Sequence, residues 1–234
     1  MFQFILHFLF RLFFTKVIIN TTNQERDISY YTNSNIISIS PSGYFGFYTL
    51  GICAYIKEHY DTSSYLFTGT SAGSWNCLYI TMKKFNIQPY IKHELFVNKS
   101  SYEILYQLKQ LLENNCKTDI DLNRVFIGIT TFHQANIHTE FEDLNDALTC
   151  CIASSNIPFI TGSIFHRYRN AYSYDGIFSN CYLTQTPILH IHPNLWGQNT
   201  KLKFNLFKKD VYNLEELFKK RVSRYCYLWQ TNTR

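Results

Sequence analysis

The sequence predicts an α/β fold with a largely parallel sheet. From residue 36 onward, short apolar β-branched runs alternate with helix-compatible stretches, the order that builds strand–helix–strand crossovers. Glycine-bearing turns fall where predicted strands hand over to predicted helices. The composition agrees: 46% apolar, 18% aromatic and only 17% charged residues supply a sizeable core and exclude an intrinsically disordered chain. A length of 234 residues favours one domain, with room for a terminal appendage. Mean hydropathy of -0.18 excludes a multi-span membrane protein.

Residues 1–19 are nearly all apolar, yet Gln3, His7, Arg11 and Thr15 recur every fourth position. At helical pitch these form a narrow polar stripe on an apolar cylinder. Three readings stay open: an interfacial helix, a signal-anchor, or a helix packed on the domain. Residues 20–35 are polar, rich in Asn and Thr, and read as a linker. The globular part begins with Ile36-Ile37-Ser38-Ile39, a buried strand by composition. A helix is expected over Phe47–Tyr60, a strand over Tyr65–Phe67 and a second helix over Ser74–Lys83. Tyr102–Leu112 reads as an amphipathic helix with Leu105, Leu108 and Leu112 on one face. Strands are expected at Val125–Thr130 and Ile137–Phe141, a helix at Leu144–Ala153, and strands at Arg169–Tyr174 and Ile188–His192. Asn213–Trp229 reads as a helix with Asn213 and Glu216 in cap-like positions. Its basic residues (Lys219, Lys220, Arg221, Arg224) alternate with apolar ones, which suits either a bilayer surface or closure of the core.

Net charge is +5. With no dense basic patch and no reading motif, this excludes the usual nucleic-acid binder, while excess positive charge and aromatics suit an anionic membrane surface. The seven cysteines show no C-x-x-C spacing, so buried free thiols are expected rather than a zinc site, pointing to a reducing compartment. Asn20-Thr21-Thr22 and Asn98-Lys99-Ser100 match the glycosylation sequon, a pattern short enough to arise by chance in an Asn-rich chain.

Three short segments carry chemistry. Gly69-Thr70-Ser71-Ala72-Gly73 lies between a predicted strand and a predicted helix. In that context G-x-S-x-G reads as a nucleophile elbow, with the serine hydroxyl exposed on a strained turn and Gly69 and Gly73 letting strand and helix pass close. Ser40-Pro41-Ser42-Gly43-Tyr44-Phe45-Gly46 likewise follows the first strand and opens a helix. Backbone amides of Ser42, Gly43 and Tyr44 at such a junction suit an oxyanion. Asp175-Gly176 follows a later strand; alone it is an ordinary turn dipeptide, but beside the other two it supplies a candidate general base. Five of the nine glycines fall in these three segments.

In that order (strand, glycine loop, helix, G-x-S-x-G, and about a hundred residues later Asp-Gly) the chain resembles the patatin-like phospholipase family, in its adiponutrin-like branch. The elbow Gly69–Ser74, the loop Ser40–Gly51, the segment Cys151–Pro158 and the strand Tyr182–Pro193 carry the resemblance, over roughly residues 36–195. It implies a three-layer α/β/α sandwich and a serine acyl hydrolase acting on phospholipid or acylglycerol without metal or cofactor. Ser71 would be the nucleophile, Asp175 its base, and the Ser42–Tyr44 amides the oxyanion hole. A membrane-associated, intracellular protein is implied, at a bilayer or droplet surface and with no nucleic-acid partner. Residues 196–234 would then be a basic, aromatic tail. The chain departs from the family at Pro41, which lacks an N–H, and at Ile177, where the family has a second glycine. These departures leave a catalytically weak lipid-binding protein as an alternative. A further alternative is an α/β-hydrolase triad with His190 or His192, although too few strands precede Ser71 for that topology. Arg167 and Arg169 are candidates for an anionic head group or for solvated edge-strand positions.

A Ser–Asp dyad poses a physical problem, because an ordinary aspartate titrates near 3.9 and is a poor base for a hydroxyl. The chemistry requires Asp175 desolvated and within hydrogen-bond reach of Ser71.

Overall fold

The computed structural model describes residues 20–21, 35–116, 120–131, 134–178, 187–193 and 213–219. The apolar segment 1–19, most of the expected linker and residues 220–229 of the expected C-terminal helix lie outside the described residues.

Eight strands form one sheet: β1 (Asn20–Thr21), β2 (Ile36–Ile39), β3 (Leu66–Thr70), β4 (Val125–Thr131), β5 (Gln134–His138), β6 (His166–Tyr168), β7 (Ala171–Asp175) and β8 (Leu189–Ile191). The helices are α1 (Gly46–His59), α2 (Ala72–Thr81), α3 (His93–Phe96), α4 (Ser101–Asn115) and α5 (Leu144–Ser154), and residues 214–219 are also helical. The main path runs β1-β5-β4-β3-β2-β8, with β7 pairing to both β4 and β6.

The α/β class is as the sequence predicts, but the sheet is mixed rather than largely parallel. β8, β2, β3 and β4 run parallel, as do β1 and β5. β5 and β7 run antiparallel to β4, and β6 antiparallel to β7. Connection length decides this: parallel neighbours need a crossover of a dozen or more residues, as α1 and α2–α4 provide, whereas two-residue links force reversal. Only residues 132–133 separate β4 from β5, and only Arg169-Asn170 separates β6 from β7. Arg169 and Asn170 both have positive φ, 42° and 64°, which is the hairpin geometry that matches strand twist. The strand predicted to start at Arg169 therefore starts at Ala171.

Alternation sorts the strands' side chains onto two faces. Ile37, Ile39, Val125, Ile127 and Ile129 join the helices in one large core cluster, while Ile36, Phe126, Ala135 and Ile137 form a separate small one. Residues 73–81 of α2 are all buried, as suits a helix enclosed by α1, α5 and the sheet. α4 begins at a capping box, with Ser100 accepting from the Glu103 amide and Glu103 accepting from the Ser100 amide. Ser100 of the second sequon is thus a helix cap. In the helical residues 214–219, Leu214, Leu217 and Phe218 are buried in the large cluster, so these residues close the core. Asn213 caps them by accepting from the Glu216 amide at 3.1 Å. Among the described residues no helix is long and apolar enough to cross a membrane.

Candidate active site

The strands place Ser71 and Asp175 together. β3 pairs with the first four residues of β4, Val125–Gly128, and then ends at Thr70. β4 continues for three more residues, and β7 pairs with that overhang, setting Asp175 opposite Ile129. β5 already occupies the other edge of the same residues. β7 therefore takes the edge that β3 vacates, and its last residue arrives where β3 turns into Ser71.

Ser71 is the turn itself, with φ 53° and ψ -130°. A non-glycine residue in such backbone costs about 1–3 kcal/mol and persists only where its surroundings impose it. Here the Ser71 amide donates to Ser154 Oγ at 2.8 Å, and Ser154 Oγ donates to the Gly128 carbonyl at 2.7 Å. The Ser71 carbonyl accepts from the Ser74 amide at 3.0 Å and from Ser74 Oγ at 2.6 Å. Gly73 has no room for a side chain: a Cβ there would lie 2.3 Å from the Ile39 carbonyl oxygen. Strand β2 and helix α2 thus touch backbone to backbone beside the elbow.

The Ser71 hydroxyl donates to Asp175 Oδ2 at 2.7 Å, the contact that dyad chemistry requires. Asp175 is wholly buried. Its Oδ1 accepts from the Ile177 amide at 2.9 Å, its own amide donates to the Asn156 carbonyl at 2.9 Å, and its carbonyl accepts from Thr130 Oγ1 at 2.9 Å. Burial pushes the Asp175 carboxyl up to about 7, against the opposing effects of the Ile177 amide and the Ser71 hydroxyl. Ile177 carries its bond through the backbone while its side chain is 38% exposed, and its φ is not positive. Isoleucine there is compatible with the turn that aims Asp175.

The glycine loop lies alongside. Gly43 has φ 52°, a conformation glycine adopts without strain, and opens a single 3₁₀ turn over Gly43–Phe45. The Phe45 and Gly46 amides are bonded within this turn, and no bond occupies the Gly43 or Tyr44 amide among the described residues. A Cβ on Gly46 would lie 2.5 Å from Ala72 Cβ, so the start of α1 abuts the start of α2. Gly43, Tyr44 and Ser71 line a common cavity of about 110 Å³, whereas Ser42 is buried and does not line it.

That cavity is apolar beyond its serine end. Phe47 and Leu50 of α1, Trp75 of α2, and Leu105 and Leu108 of α4 form its walls. The α4 leucines, legible in sequence only as one face of an amphipathic helix, thus line the space above the elbow. Trp75 Nε1 donates to Ser155 Oγ at 3.0 Å, and the Tyr44 hydroxyl bonds Ser101 Oγ at 2.6 Å. Ser154, Asn156 and Thr130 were not singled out by sequence reasoning as site residues. The run Ser154-Ser155-Asn156, small polar residues at the end of an apolar helix, was the available signal.

The histidines of the triad alternative lie elsewhere. β8 is two strands from β3, and His190 Nδ1 bonds Ser38 Oγ at 3.2 Å. The His190 and His192 rings sit 5.3 Å apart, at and just beyond the end of β8. The Ser71 hydroxyl meets Asp175 directly, with no imidazole between them. Arg169 is ion-paired with Asp146 at 2.5 Å and so is not available for a head group, while Arg167 remains exposed. Cys53, Cys77, Cys116, Cys150 and Cys151 are buried thiols outside any disulfide. Among the described residues no group of three or more His, Cys, Asp or Glu is placed to hold a metal ion. No protein-family model matches the chain, and no curated protein matches its sequence.

Proposed function

We propose that this chain is a serine acyl hydrolase of lipid esters, organised as in the patatin-like family that its motifs resemble. The observation that carries the reading is the 2.7 Å bond from Ser71 Oγ to a wholly buried Asp175, at a left-handed elbow opening onto an apolar cavity. Ser71 Oγ attacks the ester carbonyl carbon as its proton passes to Asp175 Oδ2. Negative charge gathers on the carbonyl oxygen and is met by the Gly43 and Tyr44 amides. The tetrahedral intermediate collapses, the C–O bond breaks, and the leaving alkoxide takes the proton from Asp175. Water then gives a proton to Asp175 as its oxygen attacks acyl-Ser71; the acyl–Oγ bond breaks, Ser71 Oγ takes that proton back from Asp175, and a fatty acid leaves. An aspartate held near 7 rather than 3.9 narrows the gap to the hydroxyl it must deprotonate. The apolar cavity supplies a place for an acyl chain. A three-layer sandwich, a membrane-associated intracellular setting, and residues 1–19 as a membrane-facing helix go with this reading.

A fluorophosphonate probe is expected to label the wild-type chain and not Ser71→Ala; equal labelling of both would overturn the assignment. Pro41, which has no amide to offer the glycine loop, favours one second reading: a patatin-fold lipid binder with weak catalysis. A lipid-hydrolysis panel separates the two, since robust turnover abolished in Asp175→Asn excludes the binder.

A further inference from the structure

The strand that delivers Asp175 has an outer face that the proposed chemistry leaves unused. On β7, Ser173 and Asp175 point inward and are buried, while Tyr172 and Tyr174 point outward. Phe165, just before β6, packs on both tyrosines, with ring centroids 5.3 and 5.6 Å away. Arg167 is registered directly opposite Tyr172, so its cation belongs to the same face. It is exposed, it donates to the Asn170 side-chain oxygen at 3.3 Å, and no carboxylate pairs with it among the described residues. Phe165 belongs to the loop between α5 and β6, which also carries Phe159. Ile157 and Ile160 of this loop line the cavity above Ser71, while Phe159 between them is 77% exposed with φ 65°. A bulky ring gains nothing for the fold by standing in water on left-handed backbone.

We propose that this aromatic and basic face, together with Phe159 of the same loop, docks on an anionic lipid bilayer. The rings suit the head-group region and Arg167 suits its negative charge. Because one loop both carries Phe159 and walls the cavity, an acyl chain leaving the bilayer passes along apolar side chains toward Ser71. That last step rests on the acyl-hydrolase reading; the docking itself does not.

The test uses the full chain carrying Phe159→Trp, with wild type as the background for the native tryptophans. Vesicles contain phosphatidylcholine and phosphatidylserine, with and without brominated acyl chains. The added indole is expected to shift its emission to shorter wavelength and to be quenched by the brominated lipid. Arg167→Glu is expected to weaken binding to anionic vesicles roughly fivefold or more, with unchanged thermal unfolding showing that the fold is intact. An indole at 159 that stays solvent-like in the presence of bound vesicles overturns the proposal, as does equal vesicle affinity of wild type and Arg167→Glu. No ester is cleaved in this measurement, so its failure and a failure of the Ser71 chemistry are read separately. A local probe also separates this face from any binding by residues 1–19.

Discussion

Ser71 and Asp175 meet at 2.7 Å but reach that contact by different routes. Ser71 is shaped largely by its sequence neighbours, with Ser154 as its one distant tie: β3 ends, the backbone turns left-handed, Ser74 ties back to the Ser71 carbonyl, and Gly73 lets α2 lie against β2. Asp175 has one local tie, the Ile177 amide on its Oδ1, and otherwise depends on distant segments. It is placed because β4 outruns β3 and the β6–β7 hairpin fills the vacated edge, and it is held by Thr130 and Asn156, both remote in sequence. A nucleophile on a strained turn can be encoded in a five-residue motif, because the strain is local. A buried carboxylate needs a cavity closed by other elements, and closure is a property of the assembled sheet.

The largest expected effect tests the non-local partner. Asp175→Asn keeps the shape but cannot accept the hydroxyl proton, so acyl transfer should fall by about 10⁴-fold, the size of loss seen when a serine triad is deprived of its carboxylate. In wild type, kcat/KM should rise with pH and level off above about 7, where Asp175 is ionised. Stability runs the other way. The folded carboxyl titrates well above its unfolded value of about 3.9, so the folded chain binds the extra proton between the two. Its favourable contribution is complete below the unfolded value and is lost as pH rises through about 7. Asp175→Asn, neutral throughout, should therefore unfold at higher denaturant than wild type at pH 8, with the gap closing toward pH 4. A variant less stable than wild type at pH 8 would remove burial as the cause of the shift.

The next effect tests the local frame. Gly73→Ala forces a methyl group to 2.3 Å from a backbone carbonyl that has no rotamer to change, and should destabilise by about 1–3 kcal/mol or more in urea unfolding. Loss of labelling at Ser71 with little loss of stability would mean that the elbow alone gives way. The smallest effect is expected at His190, bonded to Ser38 on the far side of β2. His190→Ala should leave acyl transfer within about twofold of wild type, since its ring touches neither reacting group; a tenfold loss would restore the triad.

Much of the central fold was legible. β2 appears at Ile36–Ile39 as read, and α1, α2, α4 and α5 lie within a few residues of the predicted helices, because apolar composition and caps are local signals. The misplacements share a physical cause. β5 was expected at Ile137–Phe141 but runs Gln134–His138, its register set by pairing with β4 and its end followed by Glu140 at φ 56°. The Arg169-Asn170 turn contains no glycine to announce its positive φ. Asn20–Thr21, read as linker, adds a parallel strand to β5, and such edge pairing depends on the partner being present.

The sequence alone determined the α/β class, the elbow at Ser71, the glycine loop and the candidacy of Asp175, because each rests on backbone chemistry that short motifs encode. Only the tertiary structure decided that the sheet is mixed, that Asp175 is buried and bonded to Ser71, and that Leu105 and Leu108 wall an apolar cavity above the elbow. The reason is the range of the interactions. Strain and capping act over a few residues, whereas burial and strand register are set by segments that meet only when the chain has folded.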